Sequence, residues 1–172
     1  MRKFALITLA ALLGAAPLAA CKKGVDPAVA AAASAEATKN LADAKAFLAK
    51  NAMEPGVVSL PDGLQYKIVT SGAATGIKPK PQDEVKIHYE GKFISGKVFD
   101  SSFERGSPTT FVLGQLVPAW IEGLQLMRPG DEWMLYVPPE LGYGAEGKGE
   151  DMPPNSALIF RIQLIDVLQN PA

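Results

Sequence analysis

Few residues in this chain are suited to nucleophilic or metal chemistry. There is one cysteine, Cys21, and one histidine, His88. A disulfide framework or a thiolate–imidazole zinc site needs several such ligands together, so both are excluded. His88, with serines and Asp100 nearby, supplies the residue types of a Ser/His/Asp hydrolase, but no G-x-S-x-G nucleophile elbow occurs. An ordinary strand histidine is the reading that remains. Aromatic side chains stand out instead. One stretch is Val85-Lys86-Ile87-His88-Tyr89-Glu90-Gly91, followed by Gly96-Lys97-Val98-Phe99-Asp100-Ser101-Ser102. A second is Phe111-Val112-Leu113-Gly114-Gln115-Leu116-Val117-Pro118-Ala119-Trp120, and a third is Gly142-Tyr143-Gly144 with Met152-Pro153-Pro154. Any single ring could be packing. The set exceeds what the core of a small sheet needs, and Tyr143, held between two glycines, has the character of a loop aromatic with a task.

The elements that must position these residues fit into one core. The chain has 172 residues, 48% of them hydrophobic and 20% charged, with 16 Gly and 14 Pro. Such a chain folds with many turns and little long helix, and whole-chain disorder, a coiled coil and a multi-domain machine are excluded. A net charge of −1 gives no broad electrostatic hold on phosphate backbones, so no nucleic acid partner is expected.

The first segment reads as an address. A basic Met1-Arg2-Lys3 precedes the apolar run from Phe4 to Leu18, which is interrupted by Gly14 and Pro17 and too short to span a bilayer. Leu18-Ala19-Ala20-Cys21 resembles the lipobox of bacterial lipoproteins. That resemblance implies cleavage after residue 20, acylation of Cys21 and a membrane contact through the N-terminal lipid. The alternative is a plain secretory signal or an uncleaved anchor. Lys22 rather than Asp after the cysteine points to the outer membrane, and the expected location is the periplasm-facing cell envelope.

Residues 21–55 read as a helical tether and 56–172 as the folded domain. Asp26 is a candidate N-cap with Pro27 at the first helical position, and Glu54-Pro55-Gly56 stops the helix. Leu41, Ala44, Phe47 and Leu48 form an apolar stripe, suited to docking on the following domain or on a second copy; a solvated helical spacer is expected rather than a dimer contact. Past Gly56 the period changes to two. Leu64–Ile68, Val85–Tyr89, Thr109–Leu113, Glu132–Val137 and Ala157–Leu168 read as strands, and Pro118–Met127 as a short helix with Trp120, Leu124 and Met127 on one side. No βαβ rhythm occurs, so the expectation is α+β: a curved antiparallel sheet of five to six strands around one short helix, preceded by the tether.

Taken together, in order and spacing from about Leu64 to Leu168, these stretches resemble the FKBP-type peptidyl-prolyl cis-trans isomerases. The resemblance implies an apolar pocket between sheet and helix that receives a proline ring. Trp120 would form its floor, with Tyr89, Phe99, Phe111 and Phe160 as walls. Val117 would offer a backbone N–H to a substrate carbonyl, with Leu116 beside it, and Tyr143 would offer a hydroxyl to another. Asp100 would stand by the pocket, orienting Tyr89 or steering the carbonyl, and Met152 would take a place where the family often has Ile. No cofactor or metal is implied. The implied partners are unfolded or flexible proline-containing polypeptides, with a macrolide inhibitor as a candidate ligand, although Thr109 and Ala119 depart from the family's pattern. The alternative is a non-catalytic proline-binding chaperone or assembly module of the envelope. The tether is shorter than the helical dimerisation module of macrophage-infectivity-potentiator-like relatives, so a monomer or weak dimer is expected.

Overall fold

Two-residue alternation of apolar side chains builds the sheet. In the computed structural model, which describes residues 27–149 and 151–170, Val85, Ile87 and Tyr89 are buried on one face of a ten-residue strand. Trp133, Leu135 and Val137 repeat the pattern, as do Leu158, Phe160, Ile162 and Leu164. The elements are α1 (Pro27–Asn51), β1 (Val57–Ser59), β2 (Gln65–Thr70), β3 (Glu84–Phe93), β4 (Val98–Ser101), β5 (Thr109–Val112), α2 (Pro118–Leu126), β6 (Glu132–Val137) and β7 (Leu158–Leu168). All strands pair antiparallel in the order β1-β2-β6-β7-β3-β4, with β5 also on β3. The α+β sheet-and-helix architecture stands as expected, with seven strands instead of five to six. The extra strands are short: β1 has three residues and β4 has four.

One edge of β3 is shared. Glu84–Ile87 pair with β5, and Glu90–Lys92 pair with β4. Between these two ladders Ser102 takes the place of a strand neighbour for Tyr89. Its Oγ accepts the Tyr89 N–H at 2.7 Å and donates back to the Tyr89 carbonyl at 3.2 Å. The Ser102 N–H also donates to that carbonyl, at 2.9 Å. His88 belongs to this junction, with Nδ1 3.0 Å from Ser102 Oγ and its ring stacked on Phe103.

Helix α2 starts at Pro118, whose missing N–H is no loss at a first helical position. It buries Ala119, Trp120, Gly123 and Leu124 against the sheet. A Cβ at Gly123 would lie 2.9 Å from Leu135 Cδ1, so glycine there lets the helix sit close to β6 without displacing the Leu135 side chain.

Helix α1 is not the solvated spacer expected from sequence. Its C-terminal half lies on the sheet face opposite α2. Ala44 and Asn51 are buried, and the Phe47 ring is 6.1 Å from that of Tyr136 on β6. The Asn51 side chain donates to Gln65 Oε1 at 2.8 Å, and Gln65 Nε2 donates to the Leu48 carbonyl at 2.9 Å. The partly or fully buried positions Ala37, Asn40, Leu41, Asp43, Ala44, Phe47, Leu48 and Asn51 follow the three-and-four spacing of one helical face. The first half of α1, up to Glu36, is exposed. The leader, the acylation candidate Cys21 and the N-cap candidate Asp26 lie outside the described residues.

Candidate functional site

The site is a cavity of about 490 Å³ between the sheet and the start of α2. Trp120, one residue past the first turn's Ala119, lies at its base and is 5% exposed. Its Nε1–H is buried and donates to no described group. Three rings present to the indole at steep angles: Phe160 of β7 at 5.1 Å and 84°, Tyr89 of β3 at 5.2 Å and 75°, and Phe111 of β5 at 6.1 Å and 79°. Edge-to-face pairs of this kind are favourable because the positive ring edge meets the negative ring face. Phe99 of β4 completes the wall, 5.8 Å from Phe160 at 88°. Gly91 makes that last contact feasible. It lies opposite Asp100 on β4 and Phe160 on β7, and a Cβ there would come within 2.6 Å of the Phe99 ring and 2.8 Å of the Phe160 ring.

Leu116 and Val117 line the cavity from the turn between β5 and α2. Val117 is in extended conformation just before the helix, and its N–H donates to no described group. Tyr143 lines the opposite rim from the loop after β6, with Lys148 Nζ 5.5 Å from its ring centre. Nine of the ten residues singled out for the pocket thus line one cavity. Met152 is the exception. It is 6% exposed within the core cluster, and its carbonyl accepts the Lys148 N–H at 2.9 Å, so it braces the loop from beneath instead of facing the cavity.

A polar clamp closes one side. The Tyr89 hydroxyl donates to Asp100 Oδ2 at 2.6 Å and accepts from Arg105 Nη2 at 2.9 Å. Arg105 Nη1 donates to Asp100 Oδ1. Burial pushes the Asp100 carboxyl upward, but hydrogen bonds from Tyr89 and Arg105, with the guanidinium charge, outweigh it and hold the group below the ordinary carboxylate range. Burial, then the Asp100 contact, raises the Tyr89 phenol. At neutral pH the clamp is therefore a carboxylate, a neutral phenol and a guanidinium. With the Arg105 and Asp100 side chains 47% and 41% exposed, solvent screens the ion pair, and its effect is to orient the Tyr89 ring. Arg105, Gln115 and Lys148 were not anticipated from sequence. A lone arginine in a polar turn carries no signal, Lys148 lies in the charged loop between Gly144 and Met152, and Gln115 sits in a stretch already singled out.

Among the described residues no group of His, Cys, Asp and Glu could hold a metal ion. The arrangement can bind a compact apolar group on the indole, with hydrogen-bonding groups at the rim.

A family model described as FKBP-type peptidyl-prolyl cis-trans isomerase matches residues 75–165, just over half of the chain. The chain belongs to the FKBP-type peptidyl-prolyl cis-trans isomerase family. A second model, described as the domain amino terminal to FKBP-type isomerases, matches residues 13–68. The outer membrane protein MIP of Legionella longbeachae is 47% identical over 132 residues, which are 77% of this chain and 56% of that protein. The crystal structure of FkpA from Escherichia coli superposes with a TM-score of 0.78 at 40% identity, covering 83% of this chain and 65% of that one. A peptidyl-prolyl isomerase structure from Pseudomonas syringae gives 0.71 at 36% identity, covering 77% and 96%. The chain spans little more than half the length of the curated FKBP relatives it matches.

Proposed function

We propose that this chain catalyses cis–trans isomerisation of X–Pro bonds in unfolded or flexible polypeptides. The observation that carries the reading is the cavity floored by Trp120 and walled by Tyr89, Phe99, Phe111 and Phe160. An X–Pro amide turns over a barrier of about 18–20 kcal/mol because rotation breaks the resonance of its C–N bond. No bond to a nucleophile is made, so catalysis requires only that the site favour the twisted amide over both planar forms. The twisted amide has lost much of its charge separation, and a water-poor aromatic pocket disfavours it less than the planar dipole.

In this reading the proline ring rests on the Trp120 indole and is held while the acyl side turns. The open N–H of Val117, beside Leu116, takes one substrate carbonyl, and the Tyr143 hydroxyl takes another. Asp100 acts through Tyr89, whose hydroxyl it holds at 2.6 Å, rather than by proton transfer. A thousandfold acceleration asks for about 4 kcal/mol of such preference. The substrates are exported proteins whose proline-limited folding is slow. The cell envelope is the proposed location, supported by the signal-like leader and by a relative named as an outer membrane protein. Acylation of Cys21, outer-membrane attachment, macrolide binding in the same cavity and a monomeric or weakly dimeric state belong to the same proposal; no described helix is long and apolar enough to cross a membrane.

Exchange NMR on a proline peptide tests the activity. Merging or cross-exchange of cis and trans signals on adding catalytic amounts of the purified chain is expected. Peptide binding with unchanged slow exchange would replace the enzyme by a non-catalytic proline-binding module.

A further inference from the structure

Asn155 is the one described residue other than glycine with a positive φ, 56°. It lies where α1 meets the loop carrying Tyr143. Asparagine tolerates this left-handed conformation better than most residues, and neighbours usually hold it there. Three hydrogen bonds do so. The Asn155 N–H donates to the Gly144 carbonyl at 2.9 Å. Its side-chain Nδ2 donates to the Ala37 carbonyl of α1 at 3.1 Å. From the helix, Asn40 Nδ2 donates to the Pro154 carbonyl at 3.0 Å. These α1 contacts span 118 and 114 residues of sequence.

The other end of the connection is the site. Gly144 adjoins Tyr143, whose carbonyl accepts the Gly147 N–H at 3.1 Å, while the Gly144 N–H donates to the Pro139 carbonyl at 2.8 Å. No described group hydrogen-bonds the Tyr143 hydroxyl, so that hydroxyl is placed by the backbone of its own glycine-flanked loop. With Gly142, Gly144, Gly147 and Gly149 in it, this loop has little intrinsic preference for one conformation.

We propose that α1 is a positioning element of the site: Asn40 and Ala37 grip the Pro154–Asn155 turn, Asn155 grips Gly144, and Tyr143 is thereby held at the rim of the cavity. Docking of the helix on the sheet and ordering of the Tyr143 loop are then one event, and whatever loosens α1 loosens the rim. The inference rests on the isomerase reading for its rate consequence and on hydrogen bonds alone for the loop.

The test uses the full chain carrying Asn40→Ala or Asn155→Gly, each alone and combined with Tyr143→Phe. Glycine accepts the positive φ and keeps the Asn155 backbone bond, so Asn155→Gly removes the side-chain bond to Ala37 and leaves the Asn40–Pro154 bond, which Asn40→Ala removes. The expected results are Gly144 and Gly147 amides that exchange about three- to tenfold faster, β3 amides that are unchanged, and a kcat/KM lower by about the same factor. In the Tyr143→Phe background the same substitutions should leave kcat/KM within about twofold, because the hydroxyl they position is already gone. Unchanged loop exchange, an unchanged kcat/KM, or an undiminished loss in the Tyr143→Phe background overturns the proposal. A wild-type chain without isomerase activity sinks the isomerase reading separately, and the exchange measurement still decides whether α1 holds the loop.

Discussion

Replacing Ser102 by alanine removes the side chain that bridges the gap between two half-ladders on β3. Ser102 is fully buried, and its Oγ lies 2.7 Å from the Tyr89 nitrogen, 3.2 Å from the Tyr89 oxygen and 3.0 Å from His88 Nδ1. The Tyr89 carbonyl keeps the Ser102 N–H as donor in the variant, but the Tyr89 N–H has no acceptor left. A buried donor left unpaired costs about 1–3 kcal/mol, and the lost hydroxyl bond about 1 kcal/mol more, for a total of about 2–4 kcal/mol. Against a total stability of about 5–15 kcal/mol this is large. With a urea slope of about 2 kcal/mol/M, the unfolding midpoint should fall by about 1–2 M. The comparison is Ser101→Ala: Ser101 is also buried, but its hydroxyl accepts only the N–H of Glu104, an exposed turn residue, at 3.2 Å. Its midpoint should fall by less than about 0.5 M. Urea unfolding followed by tryptophan fluorescence reads both. A Ser102→Ala midpoint no lower than that of Ser101→Ala would refute the assignment of Ser102 as the substitute strand neighbour of Tyr89.

Gly91→Ala places a methyl group 2.6 Å from Phe99 and 2.8 Å from Phe160; the rings must separate, costing about 1–3 kcal/mol of stability and at least tenfold in isomerase rate, equivalent to about 1.4 kcal/mol, whereas a wild-type rate would show that the closed wall is dispensable. Glu122 on α2 is held up at about 7 by its hydrogen bond to Asp62, then by burial, while Asp62 is pushed down by the same bond. A carboxyl raised from 4.5 in the fold stabilises fully below about pH 4.5 and loses that contribution as pH rises through about 7; in this solvent-screened, partly exposed pair the loss is less than about 1 kcal/mol. Urea midpoints should therefore decline between pH 5 and 8, to an extent that Glu122→Gln abolishes, and identical profiles for the two proteins would contradict the shared proton.

The sheet was legible because β3, β6 and β7 alternate with one buried face. β1 and β4 were not, since three or four residues next to Gly56 or Gly96 carry too little period to separate a strand from a turn. Asp100-Ser101-Ser102 looks like a turn in sequence, and only the shared edge of β3 shows why a serine hydroxyl is needed there. Seating of α1 was left open for a related reason: Leu41, Ala44, Phe47 and Leu48 form an apolar stripe suited to this domain or a second copy, and Asn40 and Asn51 commit it to this domain by bonding to Pro154 and Gln65. In the site, the aromatics carried the signal because each lies in a distinctive local stretch. Arg105 acts through a folded contact with Tyr89 and Asp100, and Met152 shares the cavity's neighbourhood in sequence while its side chain is used by the core.

The most direct measurement is the slow refolding phase of a protein limited by X–Pro isomerisation, which relaxes unaided in about 10–100 s, followed with catalytic amounts of the wild-type chain and of Trp120→Ala. Acceleration by the wild type that falls at least tenfold, or about 1.4 kcal/mol, without the indole is the predicted result. A refolding phase equally slow with and without the wild-type chain, or equally fast with and without the indole, would contradict it.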